Sequence, residues 1–164
     1  MKLLVLSDSH GRRDAVRCVL DLHADADALI FLGDGLRDLP DALPMPLHAV
    51  RGNCDSAIFD LPSAPDEQTL CLGGRRIAAL HGHTRAAKAG FGRLLALGVE
   101  QNADIVCFGH THAPHEQYIP AGETFFGQPL ARPLYLFNPG ALLDGRFGLI
   151  ELRPGGILLS HGQL

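Results

Sequence analysis

Five short stretches of this 164-residue chain are mostly apolar, and each runs straight into a glycine-marked loop bearing Asp, Asn or His. They cover residues 2–7, 28–32, 47–50, 75–80 and 104–108. The loops that follow read Asp8-Ser9-His10-Gly11, Gly33-Asp34-Gly35, Arg51-Gly52-Asn53-Cys54-Asp55, His81-Gly82-His83 and Gly109-His110-Thr111-His112. An apolar run this short, without polar alternation, predicts a strand buried on both faces. Strands hidden on both faces need covering layers above and below, which leaves an α/β layered fold as the solution. Glycine at the strand ends permits tight turns and close approach of other backbone.

The segments between these runs agree. Residues 12–23 place Val16, Val19 and Leu20 on one helical face, with Asp14 near the start. Residues 36–43 suit a short helix closed by Pro44 and Pro46. Gly73-Gly74 predicts a tight hairpin turn between strands at 69–72 and 75–80. Residues 84–101 predict a helix carrying Leu94, Leu95, Leu97 and Val99, with Gly90, Gly92 and Gly98 weakening its interior. The remainder is strand-rich, at 115–119, 134–137, 147–152 and 157–160, punctuated by Asn138-Pro139-Gly140. No repeat, low-complexity stretch or linker divides the chain, so one domain over residues 1–164 is expected, with a mixed sheet or two sheets.

Composition excludes several classes. With 46% hydrophobic and 20% charged residues the chain suits a globular protein. Its net charge of −4 argues against a nucleic-acid partner held by bulk positive charge. No apolar run approaches the ~18–20 residues of a membrane span, and the first residues lack the apolar core of a signal peptide. A cytoplasmic protein without membrane contact is expected. None of the four cysteines forms a C-x-x-C pair. Cys18, Cys71 and Cys107 lie in apolar stretches and are expected in the core.

Ligands of open α/β sheets gather outside the carboxyl ends of the strands, where this chain holds Asp8, His10, Asp34, Asn53, His81, His110 and His112. Taken singly, each has a plain explanation. Asp8 could cap a helix, Gly33-Asp34-Gly35 could be a turn, and a histidine after a strand is usually a hydrogen-bonded core residue. Their joint position at five strand ends predicts a metal site. Two Asp, one Asn and four His form an oxygen-and-imidazole set without thiolate, suited to Mn²⁺, Fe, Zn²⁺ or Ni²⁺. Seven donors exceed what one tetrahedral ion needs and suit two ions sharing a bridging carboxylate. Such a pair serves hydrolysis at phosphorus. His23, His48 and His161 fit no motif, and His115 is a candidate for the rim of the site.

Asp8-x-His10, Gly33-Asp34, Gly52-Asn53, His81-Gly82 and Gly109-His110-Thr111-His112, in this order, resemble the calcineurin-like metallophosphoesterase superfamily. The strings HGHT, FGHTH and NPG look like its small bacterial and archaeal phosphodiesterase branch. The resemblance spans residues 2 to about 152. It implies a four-layer α-β-β-α sandwich with two mixed β-sheets. It also implies two divalent ions, one held by Asp8, His10, Asp34 and His112, the other by Asp34, Asn53, His81 and His110. Asp34 and a nucleophilic hydroxide would bridge them. A small phosphoester, foremost a phosphodiester, would be the substrate, with Mn²⁺ as the first expectation for the metal. A phosphomonoesterase or nucleotide pyrophosphohydrolase is the alternative within enzymes. A non-catalytic scaffold is the alternative outside them, since the family fold also serves in a protein-sorting coat. Oligomeric state, including a homodimer or tetramer, stays open.

One position departs from the family pattern. Where many members carry His after Gly-Asn, as acid or stabiliser for the leaving group, this chain has Cys54, followed by Asp55. Asn53, Cys54 and Asp55 are therefore the candidate catalytic residues, Asn53 serving also as a metal ligand. His83 and Arg12 are candidates for substrate contact, and residues 55–66 and 121–133 for shaping the pocket.

Overall fold

The computed structural model describes every residue except Ala57, Phe59, Pro62 and Phe126. Parts of both expected pocket loops thus lie outside the described residues. The chain runs β1 (Lys2–Leu6), α1 (Arg13–Leu22), β2 (Ala28–Phe31), β3 (Leu47–Ala49), β4 (Glu67–Leu72) and β5 (Arg75–Leu80). It continues through α2 (Gly92–Glu100), β6 (Ile105–Phe108), β7 (His115–Ile119), β8 (Thr124–Phe125) and β9 (Gln128–Pro129), then β10 (Leu134–Asn138), β11 (Arg146–Arg153) and β12 (Gly156–Gln163).

Two five-stranded mixed sheets result, ordered β12-β11-β1-β2-β3 and β4-β5-β6-β10-β7. In the first, β1, β2 and β3 run parallel while β11 joins β1 antiparallel. In the second, β5, β6 and β10 run parallel, flanked by antiparallel β4 and β7. The five motif-bearing strands, β1, β2, β3, β5 and β6, all lie in the parallel parts.

Strand periodicity explains why these runs show no polar alternation. Successive side chains point to opposite faces, and here both faces are covered. Leu3, Val5, Ile30 and Leu32 meet Ile77, Ala79, Ile105 and Cys107 between the sheets. Leu4, Leu6, Leu29 and Phe31 pack instead under Val16, Val19 and Leu20 of α1. Ala78, Leu80, Val106 and Phe108 pack under Leu94, Leu95 and Leu97 of α2. The layers are α-β-β-α, as the resemblance implied. No helix of the described residues is long and apolar enough to cross a membrane.

The structure corrects several local expectations. Residues 36–43 form only a 3₁₀ turn, Leu36–Asp38, because Leu39 turns extended ahead of Pro40. The helix expected over 84–101 is split into a 3₁₀ turn at Ala87–Ala89 and α2, with Gly90 at φ 132° between them. Cys18 and Cys71 are exposed and only Cys107 is buried. On α1 the core positions are Ala15, Val16, Val19 and Leu20, which leaves Cys18 outside that stripe. On the edge strand β4, Leu70 faces in and Cys71 therefore faces out.

Candidate metal centre

The two sheets place their strand ends side by side, and the expected donors converge from both. Asp8 and His10 follow β1, Asp34 follows β2 and Asn53 follows β3. His81 follows β5, and His110 and His112 follow β6. Tight reversals are needed to turn these side chains back over the strand ends. Asp8, His10, Asp34, His110 and His112 all have φ between 43° and 67°. That left-handed conformation is uncommon for residues with a Cβ and persists where surrounding structure enforces it. Gly52 fits closely beneath: a Cβ there would run into the Asp34 carboxylate and backbone nitrogen.

The two carboxylates are arranged alike. Asp8 Oδ2 accepts hydrogen bonds from Ser7 Oγ (2.6 Å) and the His110 N–H (3.0 Å). Asp34 Oδ1 accepts the Cys54 N–H (2.7 Å). The remaining oxygen of each faces the imidazoles. Asp8 Oδ1 lies 3.3 Å from His112 Nε2, 3.8 Å from His10 Nε2 and 3.9 Å from His81 Nε2. Asp34 Oδ2 lies 3.3 Å from His81 Nε2 and 3.7 Å from His10 Nε2. His10 and His112 bring their Nε2 atoms within 3.3 Å of each other.

His81 is fully buried, and its Nδ1 donates to the Leu32 carbonyl at 2.7 Å. That bond leaves the lone pair on Nε2, the usual way a ligating histidine is oriented. Asp8 Oδ1 and His81 Nε2 are both buried without a hydrogen-bond partner. Burying such groups unpaired costs about 1–3 kcal/mol each, so the cluster is unfavourable unless positive charge enters it. The titration behaviour agrees. Burial opposes a charged His81, yet Asp34 and Asp8 outweigh it and raise its pKa. Asp34, although burial works against its charge, is held well below the usual carboxylate range by His81 and the Cys54 N–H. Burial, helped by the charges of His81 and Lys88, pushes His110 down to about 4, so this ring is neutral and able to ligate. Asp8 with His10 and His112, and Asp8 with Asp34 and His81, each bring ligand atoms within 4.8 Å of one another. A divalent cation fits this donor set.

The other candidate residues are placed as follows. Asn53 is exposed at the lip, its amide nitrogen donating to Cys54 Sγ at 3.2 Å. The Cys54 thiol stands within the same donor distance of His10 and Asp34. Burial and the neighbouring Asp34 raise its pKa, which keeps it protonated. Asp55 is occupied by the backbone. Its Oδ2 accepts the N–H groups of Asp34 (2.7 Å) and Gly52 (2.9 Å), and its Oδ1 those of Gly35 (2.9 Å) and Leu36 (3.0 Å). This carboxylate staples the loops after β2 and β3. His83 packs beside the centre, its ring 5.4 Å from that of His81, with Nδ1 buried and unpartnered. Arg12 turns away, onto Asp14 at 3.1 and 3.2 Å and the Leu143 carbonyl at 3.1 Å. His115 stacks on Phe91 at 4.3 Å.

Two residues that hold the site are absent from the sequence-based set. Asp38, nearly buried, accepts Ser9 Oγ (2.5 Å) and the Gly11 N–H (2.8 Å), fixing the loop of Asp8 and His10. Asn138, fully buried, donates to the Gly109 carbonyl (2.9 Å) and Thr111 Oγ1 (3.1 Å), fixing the loop of His110 and His112. The Asn-Pro-Gly string was the available signal for the second; its role as a turn concealed it.

Comparison with known proteins agrees with this architecture. Residues 1–152 match the model of the calcineurin-like phosphoesterase superfamily domain. The chain is 32% identical to Phosphodiesterase YfcE of Escherichia coli over 187 aligned positions, covering all of this chain and 87% of that protein. A predicted phosphoesterase of Streptococcus pneumoniae superposes with TM-score 0.70 at 22% identity, over 98% of this chain and 97% of its own. Vps29 of Chaetomium thermophilum superposes with TM-score 0.71 at 20% identity, over 99% of this chain and 88% of its own. The last two show the shared fold.

Proposed function

The chain belongs to the calcineurin-like phosphoesterase superfamily, and from that premise we propose that it is a metal-dependent phosphodiesterase with a binuclear centre. The observation that carries this is the facing pair of orphaned buried atoms, Asp8 Oδ1 and His81 Nε2. Asp8, His10, Asp34 and His112 would hold one ion and Asp34, Asn53, His81 and His110 the other, with Mn²⁺ favoured over Fe, Zn²⁺ or Ni²⁺. When bound, two such ions lower the pKa of a water and offset charge on the phosphoryl oxygens.

The protein's own contribution is positional. Asp8 and Asp34 each spend one oxygen on the protein and keep the other for the centre, so neither reorganises when charge enters. Leu32 fixes the tautomer of His81. Asp38 and Asn138 hold the two loops that carry His10 and His112. His83, with an unpartnered Nδ1 beside the centre, would meet a phosphoryl oxygen. At the leaving-group side stands Cys54, a poorer proton donor than an imidazolium, which favours substrates whose leaving group needs little protonation.

The test is a screen of metal-stripped and Mn²⁺-loaded protein against bis(p-nitrophenyl) phosphate and p-nitrophenyl phosphate, with metal content measured in parallel. Two ions per chain and preferential diester cleavage are expected. Cleavage of the monoester alone refutes the diesterase assignment. No bound metal and no turnover point to the scaffold role that the likeness to Vps29 keeps open.

A further inference from the structure

A cavity of about 350 Å³ opens beside the centre, lined by Lys88, Phe91, Thr111, Pro114 and His115 among others. Two connections fix it against the metal ligands. The Ala87 N–H donates to the Gly82 carbonyl at 3.0 Å, and a Cβ on Gly82 would touch the Cβ atoms of both Ala87 and His110. The turn that carries Lys88 thus sits directly on the loops of His81 and His110. On the other side, Thr111 lies between His110 and His112. Asn138 donates to its Oγ1 at 3.1 Å and pairs in register with His115 across β10 and β7. One buried residue therefore ties the cavity wall to the loop of His110 and His112.

The wall is aromatic. Phe91 stacks on His115, ring centroids 4.3 Å apart, and on Phe108 at 5.3 Å. Phe108 is fully buried, whereas Phe91 and His115 are half-buried. The core holds these rings from beneath and leaves aromatic surface to the cavity. Beside it stands an uncommitted cation. Arg85, nearby in the chain, is spent on Glu67 at 2.7 and 2.8 Å. Lys88 is exposed and makes no hydrogen bond or ion pair among the described residues. Its charge is still felt at His110. An aromatic wall next to a free ammonium suits a planar ring, which can lie against the wall and turn its electron-rich face to the cation.

In-line displacement at phosphorus expels one ester arm and leaves the other on the phosphate. Cys54, at the leaving-group side, follows β3 of the first sheet. The cavity is built instead by segments flanking β5, β6 and β7 of the second. Resting on the phosphodiesterase assignment above, we propose that this cavity seats the retained ester arm and selects an arm that ends in an aromatic ring. Phe91 and Lys88 are then specificity-determining residues, and the product is an aryl-bearing phosphate monoester.

The experiment compares phenyl p-nitrophenyl phosphate with methyl p-nitrophenyl phosphate, using Mn²⁺-loaded protein and release of p-nitrophenolate. The leaving group is the same in both, so only the retained arm differs. Phe91→Leu keeps an apolar side chain over Phe108 and loses the flat face. It should lower the phenyl-to-methyl ratio of kcat/KM by about tenfold, the worth of one aromatic contact, mainly through a higher KM for the phenyl ester. Lys88→Gln should lower the same ratio by about threefold. Because the measure is a ratio within one protein, a variant that merely loses metal slows both esters and leaves the ratio unchanged. Ratios within about twofold of the parent in both variants, with both esters cleaved by the parent, overturn this proposal alone. Failure of the parent to cleave either ester overturns the phosphodiesterase assignment, and this proposal with it.

Discussion

Replacing Asp55 by Asn separates a structural carboxylate from a proton donor. The four N–H groups it accepts divide evenly, those of Asp34 and Gly52 on Oδ2 and those of Gly35 and Leu36 on Oδ1. An amide of the same shape has one oxygen and one NH₂, so it can satisfy one pair and confronts the other with a donor. Each unsatisfied N–H costs about 1–3 kcal/mol, and the surviving pair loses its charge assistance. Because the residue is only half-buried, the lower part of that range applies. The total is about 2–4 kcal/mol. For a domain of this size each kcal/mol moves Tm by ~2–4 °C, so Asp55→Asn should melt roughly 5–15 °C lower. Circular dichroism on metal-free protein reads this directly. Turnover should fall by the same factor for aryl and alkyl phosphodiesters, because what is disturbed is the seat of Asp34. A Tm within about 2 °C of the parent, with loss confined to poor leaving groups, refutes the staple and restores Asp55 as the acid.

Three further outcomes are expected. Gly52→Ala forces a methyl group into the Asp34 carboxylate and backbone; it should cost about 1–3 kcal/mol in urea unfolding and deplete bound metal by elemental analysis. Glu67 is held below the ordinary glutamate range chiefly by its hydrogen bonds from Arg85. Its folded pKa is therefore depressed, and its contribution is present above pH ~4.5 and lost as pH falls through the lower folded value. Glu67→Gln should destabilise by less than about 1 kcal/mol at pH 7, with the difference shrinking in urea titrations as pH falls through the lowered folded value. Cys54→His should raise turnover of alkyl relative to aryl phosphodiesters, and Cys54→Ala should not; equal ratios in both variants would remove position 54 from leaving-group chemistry.

The strands were readable because their burial is total. Leu3 and Val5 enter one core and Leu4 and Leu6 another, so the code is simply apolar throughout. The donors were readable because each sits beside a glycine just past such a run. What escaped is non-local. Asp38 acts on a loop 27 or more residues away and Asn138 on one 27 or more residues away, through side-chain bonds no spacing rule predicts. Backbone handedness also escaped. Glycines 11, 33, 35 and 82 have positive φ and invite the assignment of every such turn to them, yet Asp8, His10, Asp34, His110 and His112 have positive φ too. Cys18 and Cys71 were misread from apolar neighbours; one residue's shift along a helix or strand moves a side chain from core to solvent.

The strand order has a consequence for how the protein is made. All seven donors have been synthesised once His112 emerges, yet β1 still lacks its neighbour on one side. That neighbour is β11, beginning at Arg146. The carbonyls of Ser7 and Asp8 likewise wait for the N–H groups of Leu142 and Leu143. A nascent chain therefore carries the full donor set on a strand whose edge is open, and pairing across more than a hundred residues is slow to form. Translation of the last hairpin would be the event that closes the edge. Ribosome-bound chains released before residue 146 should be aggregation-prone and unable to retain metal, although no donor is missing from them.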